Sequence, residues 1–135
     1  MPIETVTADW IADMRFSLQD RNGYSIQMSQ PDGVNGADLL PMSLIGCAAW
    51  DIVAILIKQR QQITGLRVVA QSLREEQPPW RFLKIHVHYL VSGVDIRPDY
   101  LQRAVQLTET RYCAIFATLR GAVEITSDYE IITPT

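Results

Sequence analysis

A chain of 135 residues is of single-domain size, long enough to bury about two-thirds of the surface its unfolded form exposes. Its 12 basic and 15 acidic side chains leave a formal charge of −3, and the arginines are scattered along the chain, which argues against a nucleic-acid backbone or an anionic membrane as partner. The opening Met1-Pro2-Ile3-Glu4-Thr5-Val6 has no basic stretch leading into an apolar core, so a cytoplasmic location is expected. In that reducing compartment a purely structural disulfide is unusual.

Between Thr7 and Leu18, Trp10, Ala12, Met14 and Phe16 recur at period two, which predicts a half-buried strand. Asp20-Arg21-Asn22-Gly23 supplies turn chemistry, and Tyr24, Ile26 and Met28 alternate after it. A hairpin over about 5–30 is the expectation. Residues 31–36 read as loop.

A central helix is predicted over about 38–63. Asp38 is placed to cap it, Pro41 is tolerated in the first turn, and Lys58, Arg60 and Gly65 mark its end. From Leu39 to Ile57 only Ser43 and Asp51 are polar, nearly a bilayer span. Against a membrane stand Pro41, Gly46, the small Ala48-Ala49 and a mid-segment Asp51, whose insertion costs roughly 2.5–3.5 kcal/mol. The helix is apolar almost all round and must be covered on more than one side. The chain offers few other helices, so a second copy of the chain is the expected cover.

The remainder, over about 66–132, alternates again. Leu66, Val68 and Ala70 line one strand face, and Glu75-Glu76-Gln77-Pro78-Pro79 breaks the chain. Leu83, Ile85, Val87, Tyr89 and Val91 form the stripe of a long strand, with Lys84, His86 and His88 opposite. Pro98-Asp99 opens a second helix with Leu101, Ala104, Val105 and Tyr112 inward, a short helical turn follows Cys113, and a strand ends the chain. The order ββ-α-ββ-α-β predicts an α+β fold in one domain, a long helix against an antiparallel sheet.

Few residues suggest chemistry. His86 and His88 share a strand face, but without a third ligand nearby they read as surface histidines and no metal site is expected. There is no CxxC, nucleophile elbow or phosphate loop. Cys47, within the apolar helix, and Cys113, just after the second helix, are either a redox pair or two small apolar packing groups. Asp51 lies one turn from Cys47 and would oppose its ionisation if unpaired, so Arg111 or Tyr112 is the expected partner for it.

At Asp38-Leu39-Leu40, Leu44-Ile45-Gly46-Cys47, Phe82 to Tyr89, Gly93-Val94-Asp95, Arg103 to Leu107 and Tyr112-Cys113, the chain resembles the OsmC/Ohr family of osmotically inducible and organic hydroperoxide resistance proteins. The resemblance covers about residues 35–132 and is greatest to the OsmC-like branch. It implies an intertwined homodimer, with a bent sheet wrapped on the central helix and active sites at the dimer interface. It further implies thiol-dependent reduction of small organic hydroperoxides, with no cofactor and an external dithiol as reductant.

On that resemblance Cys47 is the peroxidatic thiolate, Cys113 the resolving cysteine, and Arg15 the arginine that holds the thiolate. The family glutamate has no counterpart. Asp38 occupies its region with a shorter arm, and Ala114 stands where a proline often follows the second cysteine. The alternative is a non-catalytic dimeric OsmC-like protein that binds a small apolar ligand or senses oxidants.

Overall fold

The period-two pattern between Thr7 and Leu18 builds two strands rather than one in the computed structural model, which describes residues 1–132. β1 (Thr7–Ala12) and β2 (Arg15–Gln19) meet at a tight turn where Asp13 takes a left-handed φ of 50°. Aspartate is one of the few side chains that visit this region readily. The Trp10 indole N–H fastens the turn by donating to the Asp13 carbonyl at 2.7 Å. β3 (Ser25–Ser29) pairs with β2, so the expected hairpin is a three-stranded antiparallel meander. Alternation alone cannot mark such a break, because the inward–outward rhythm resumes beyond the turn.

Contacts divide the chain into two compact units, Met1–Leu40 and the chain from Pro41 onward. In the first unit, Gly33 is required by close approach, since a Cβ there would lie 2.8 Å from the Ser29 backbone nitrogen. A short 3-10 turn, Gly36–Asp38, leads into α1 (Leu39–Lys58). Asn35, not Asp38, makes the cap: its side chain accepts the Ala37 N–H at 2.9 Å, one turn ahead of the predicted position.

α1 also ends sooner than expected. Arg60 at φ 58° forms a Schellman closure, with Gln61 N–H donating to the Leu56 carbonyl at 3.0 Å and Arg60 N–H to that of Ile57 at 2.9 Å. Gly65 therefore lies inside the next strand, β4 (Gln62–Arg74), beside a register shift. By length and composition α1 is apolar enough to cross a membrane. Within its own unit, however, Leu44, Ala48, Ile52 and Leu56, spaced four apart, are fully buried in the core.

β5 (Phe82–Val94) carries the predicted stripe, with Ile85, Val87, Tyr89 and Val91 fully buried in that same core cluster. β4 pairs with β5 antiparallel, but β6 (Glu124–Ile132) runs parallel to β5, so this sheet is mixed rather than antiparallel. The reason lies between them: α2 (Pro98–Leu107), a π turn (Thr108–Tyr112) and α3 (Ala114–Leu119) make the long crossover that parallel pairing needs. The α+β class holds. Leu101, Ala104 and Val105 point inward as expected, but Tyr112 is 55% exposed. The wider π turn puts Arg111 and Tyr112 outside and turns Thr108 and Cys113 inward.

Candidate active site

Cys47 and Cys113 are both free thiols, one on the third turn of α1 and one at the N-terminal boundary of α3. The crossover brings them together: Cys47 Sγ, Cys113 Sγ and an Asp51 carboxylate oxygen all lie within 4.8 Å of one another. Helical geometry accounts for Cys47 and Asp51, one turn apart on one face. The position of Cys113 depends on the π turn, whose last hydrogen bond runs from Cys113 N–H to the Thr108 carbonyl at 2.9 Å. Its own carbonyl then accepts the Ala117 N–H at 3.2 Å, which starts α3.

The two thiols differ in environment. Cys47 is half-buried, whereas Cys113 is 2% exposed. Burial, with the Cys47 thiol beside it, pushes the Cys113 pKa from its ordinary value of 9.0 up to about 11, despite opposing hydrogen bonds from the Phe116 and Ile115 amides. Cys113 is thus held as a neutral thiol. A group whose folded pKa is raised adds stability that is complete below the unfolded value and disappears as pH rises through the folded one. Stability should therefore fall between about pH 9 and pH 11, and Cys113→Ala should flatten that slope. Denaturant midpoints of the two proteins across this window are the check. Parallel slopes would show that Cys113 does not titrate this way.

Asp51 does not pair with Arg111 or Tyr112 as expected. Among the described residues it has neither an ion pair nor a side-chain hydrogen bond, and Arg111 and Tyr112 are both exposed. Burial raises its pKa above the usual carboxylate value. Asp51 also lines a groove of about 400 Å³ with Lys58, Arg103 and Tyr112.

Glu109, in the π turn, has no signal in the sequence and is engaged on both carboxylate oxygens. The Tyr89 hydroxyl donates to one at 2.8 Å and the Ser127 hydroxyl to the other at 2.9 Å, while Arg120 holds the Glu109 carbonyl at 2.8 Å. Burial, and then the Glu109 charge, push the Tyr89 phenol upward, with Cys113 a smaller cause in the same direction. Tyr89 therefore stays a neutral donor to Glu109.

Arg15 and Asp38 belong to the first unit. Arg15 pairs with Asp32 at 3.1 Å, and Ser29 Oγ donates to the other Asp32 oxygen at 3.2 Å. The Arg15 guanidinium, with Ser29, holds the Asp32 carboxyl below its ordinary range. Asp38 is exposed in the 3-10 turn and makes no side-chain hydrogen bond among the described residues. Asp32 is thus the acid that Arg15 engages. It is seventeen residues away in sequence, so local spacing could not single it out.

The histidines lie on the outer sheet face. His86 Nδ1 is 2.7 Å from Thr126 Oγ1, and both rings approach Asp128 on β6. His88, then His86, lower the Asp128 pKa.

A family model described as OsmC-like protein matches residues 29–128. The chain is 33% identical over 126 residues to Protein YhfA of Escherichia coli K12, covering 91% of this chain and 94% of that one. Among solved structures, a hypothetical protein from Aquifex aeolicus VF5 superposes with a TM-score of 0.89 at 23% identity, over 100% of both chains. The organic hydroperoxide resistance protein OhrB of Bacillus subtilis superposes with a TM-score of 0.61 at 18% identity, over 95% of this chain and 98% of that one. At these identities the structural likenesses establish the fold.

Proposed function

The chain belongs to the OsmC-like protein family, and from that premise we propose that it is a two-cysteine peroxidase reducing small organic hydroperoxides. The observation that carries this reading is the pair of free thiols within 4.8 Å of each other. Their unlike environments support a division of labour: the buried, protonated Cys113 suits the second step, and the half-buried Cys47 the first.

In the first step the Cys47 thiolate attacks the peroxide oxygen. The O–O bond breaks, the alkoxide leaves and takes a proton as alcohol, and sulfur becomes a sulfenic acid. Cys113 then attacks that sulfur. Its proton and the hydroxyl leave as water, and an intrachain disulfide remains. An external dithiol reduces the disulfide and is itself oxidised. The resemblance assigns Arg15 to stabilising the thiolate, and Asp38 stands in the region of the family glutamate with a shorter arm. The pairing of Arg15 with Asp32 adds Asp32 as the group that orients the guanidinium. A cytoplasmic location fits the need for a dithiol pool.

The test is coupled consumption of an alkyl hydroperoxide and a dithiol, with mass analysis of the oxidised chain under non-reducing conditions. Loss of two hydrogens within one chain is expected. Over-oxidised Cys47 beside an untouched Cys113 thiol would remove Cys113 from the cycle.

The working unit in this reading is a homodimer. On α1, Gly46, Ala49, Trp50, Val53, Ala54 and Ile57 line an apolar groove of about 520 Å³, and Trp50 is 79% exposed. A second copy of the chain covers this face. Trp50→Glu would place a charge there and is expected to give a folded monomer in sedimentation equilibrium, where the parent protein sediments as a dimer. A parent protein that is monomeric at micromolar concentration would refute the pairing.

A further inference from the structure

We propose that reduced Cys47, Cys113 and Asp51 form a binding site for one zinc-class divalent cation. The site stands apart from the peroxidase reading, since it needs only the two thiols and the carboxylate.

Geometry carries the argument. Tetrahedral zinc with metal–sulfur distances of about 2.3 Å and metal–oxygen distances of about 2.0–2.2 Å needs its donors roughly 3.4–3.8 Å apart. The three donor atoms already lie within 4.8 Å of one another, so an approach of at most about 1.4 Å gives that spacing. Two donors project from one face of α1, and the third is anchored by the Cys113 N–H bond to the Thr108 carbonyl at 2.9 Å.

Charge points the same way. Asp51 has no ion pair among the described residues, although Lys58 and Arg103 line the same groove. Three donors that are neutral or negative thus face one another, and among the described residues neither Lys58 nor Arg103 forms an ion pair with Asp51. Two thiolates and a carboxylate suit zinc and its congeners, whereas magnesium and calcium demand oxygen donors. Asp51 also lines a groove of about 400 Å³, so one of the three donors faces an open cavity.

Binding releases the thiol protons to solvent. It also occupies both sulfurs, so cation binding and the disulfide exclude each other. The cation and the peroxide then compete for one reduced state.

The test is titration of the reduced full-length protein with Co²⁺, followed by displacement with Zn²⁺. Thiolate-to-cobalt charge transfer should saturate at one ion per chain and vanish in the disulfide form. Cys113→Ser should abolish it. Asp51→Asn should weaken binding by more than about 100-fold, beyond the roughly 10–100-fold that loss of an outer-shell partner costs. Circular dichroism of the same samples reports folding. As a measure that needs no variant, Zn²⁺ should slow alkylation of Cys47 in the parent protein. Absence of charge transfer, unchanged binding in Asp51→Asn, or loss of binding in His86→Ala/His88→Ala but not in Cys113→Ser would each overturn the site. Peroxide turnover, measured without metal, is a separate readout and can fail while the cobalt spectrum persists.

Discussion

Cys47→Ser is expected to reduce hydroperoxide turnover by on the order of 10³-fold or more, the scale on which removing a covalent nucleophile acts. A serine hydroxyl is neutral at any working pH and does not form a stable oxidised partner for Cys113. Cys113→Ser should behave differently. The half-buried Cys47 still meets peroxide, so one equivalent per chain is consumed in a single burst. Without a neighbouring thiol the sulfenic acid persists and is carried to the irreversible sulfinic form by further peroxide. Rapid-mixing measurement of peroxide loss, with mass analysis of each variant, separates these outcomes. Full turnover in Cys47→Ser would refute the mechanism. Equal loss of the burst in both variants would refute the division of labour.

Ile52→Ala is expected to lower stability by about 2–5 kcal/mol, among the largest effects for a single replacement in this chain. Ile52 is fully buried on the inward stripe of α1, in one core cluster with Ile85, Val87, Leu101 and Cys113. The lost carbons alone account for about 2.4 kcal/mol at about 0.8 kcal/mol per buried methylene. The cavity term comes on top, because β5 and α2 hold the surrounding side chains and the site cannot collapse freely. That places the expectation in the upper half of the range. Urea unfolding should show a lower midpoint at unchanged slope. A shift under about 1 kcal/mol would mean that the site relaxes, as exposed positions do.

The inward stripes of α1 and β5 were legible from residue order because each is periodic: every fourth residue from Leu44 to Leu56, every second from Ile85 to Val91. The helix ends were less so. Asn35 caps a 3-10 turn and Arg60 adopts the left-handed closing conformation, and each replaced a plausible neighbour of the right type, Asp38 and Gly65. The turn at Asp13 was hidden because a two-residue turn leaves the alternation intact on both sides. The direction of β6 was hidden as well, since nothing in a strand's own side chains says whether its neighbour runs parallel.

By itself, the residue order determined the α+β class, the buried stripes, the family and the two thiols worth watching. These follow from periodicities and local motifs, which are properties of neighbours in the chain. Only the tertiary structure decided that the thiols lie within 4.8 Å of each other with Asp51 beside them. It also decided that Glu109 receives Tyr89 and Ser127, and that Arg15 engages Asp32. The thiol and Glu109 arrangements depend on where one π turn and a parallel crossover deliver side chains distant in sequence. The Arg15 pair depends on the closure of a three-stranded meander. Periodicity carries no record of such long-range closures.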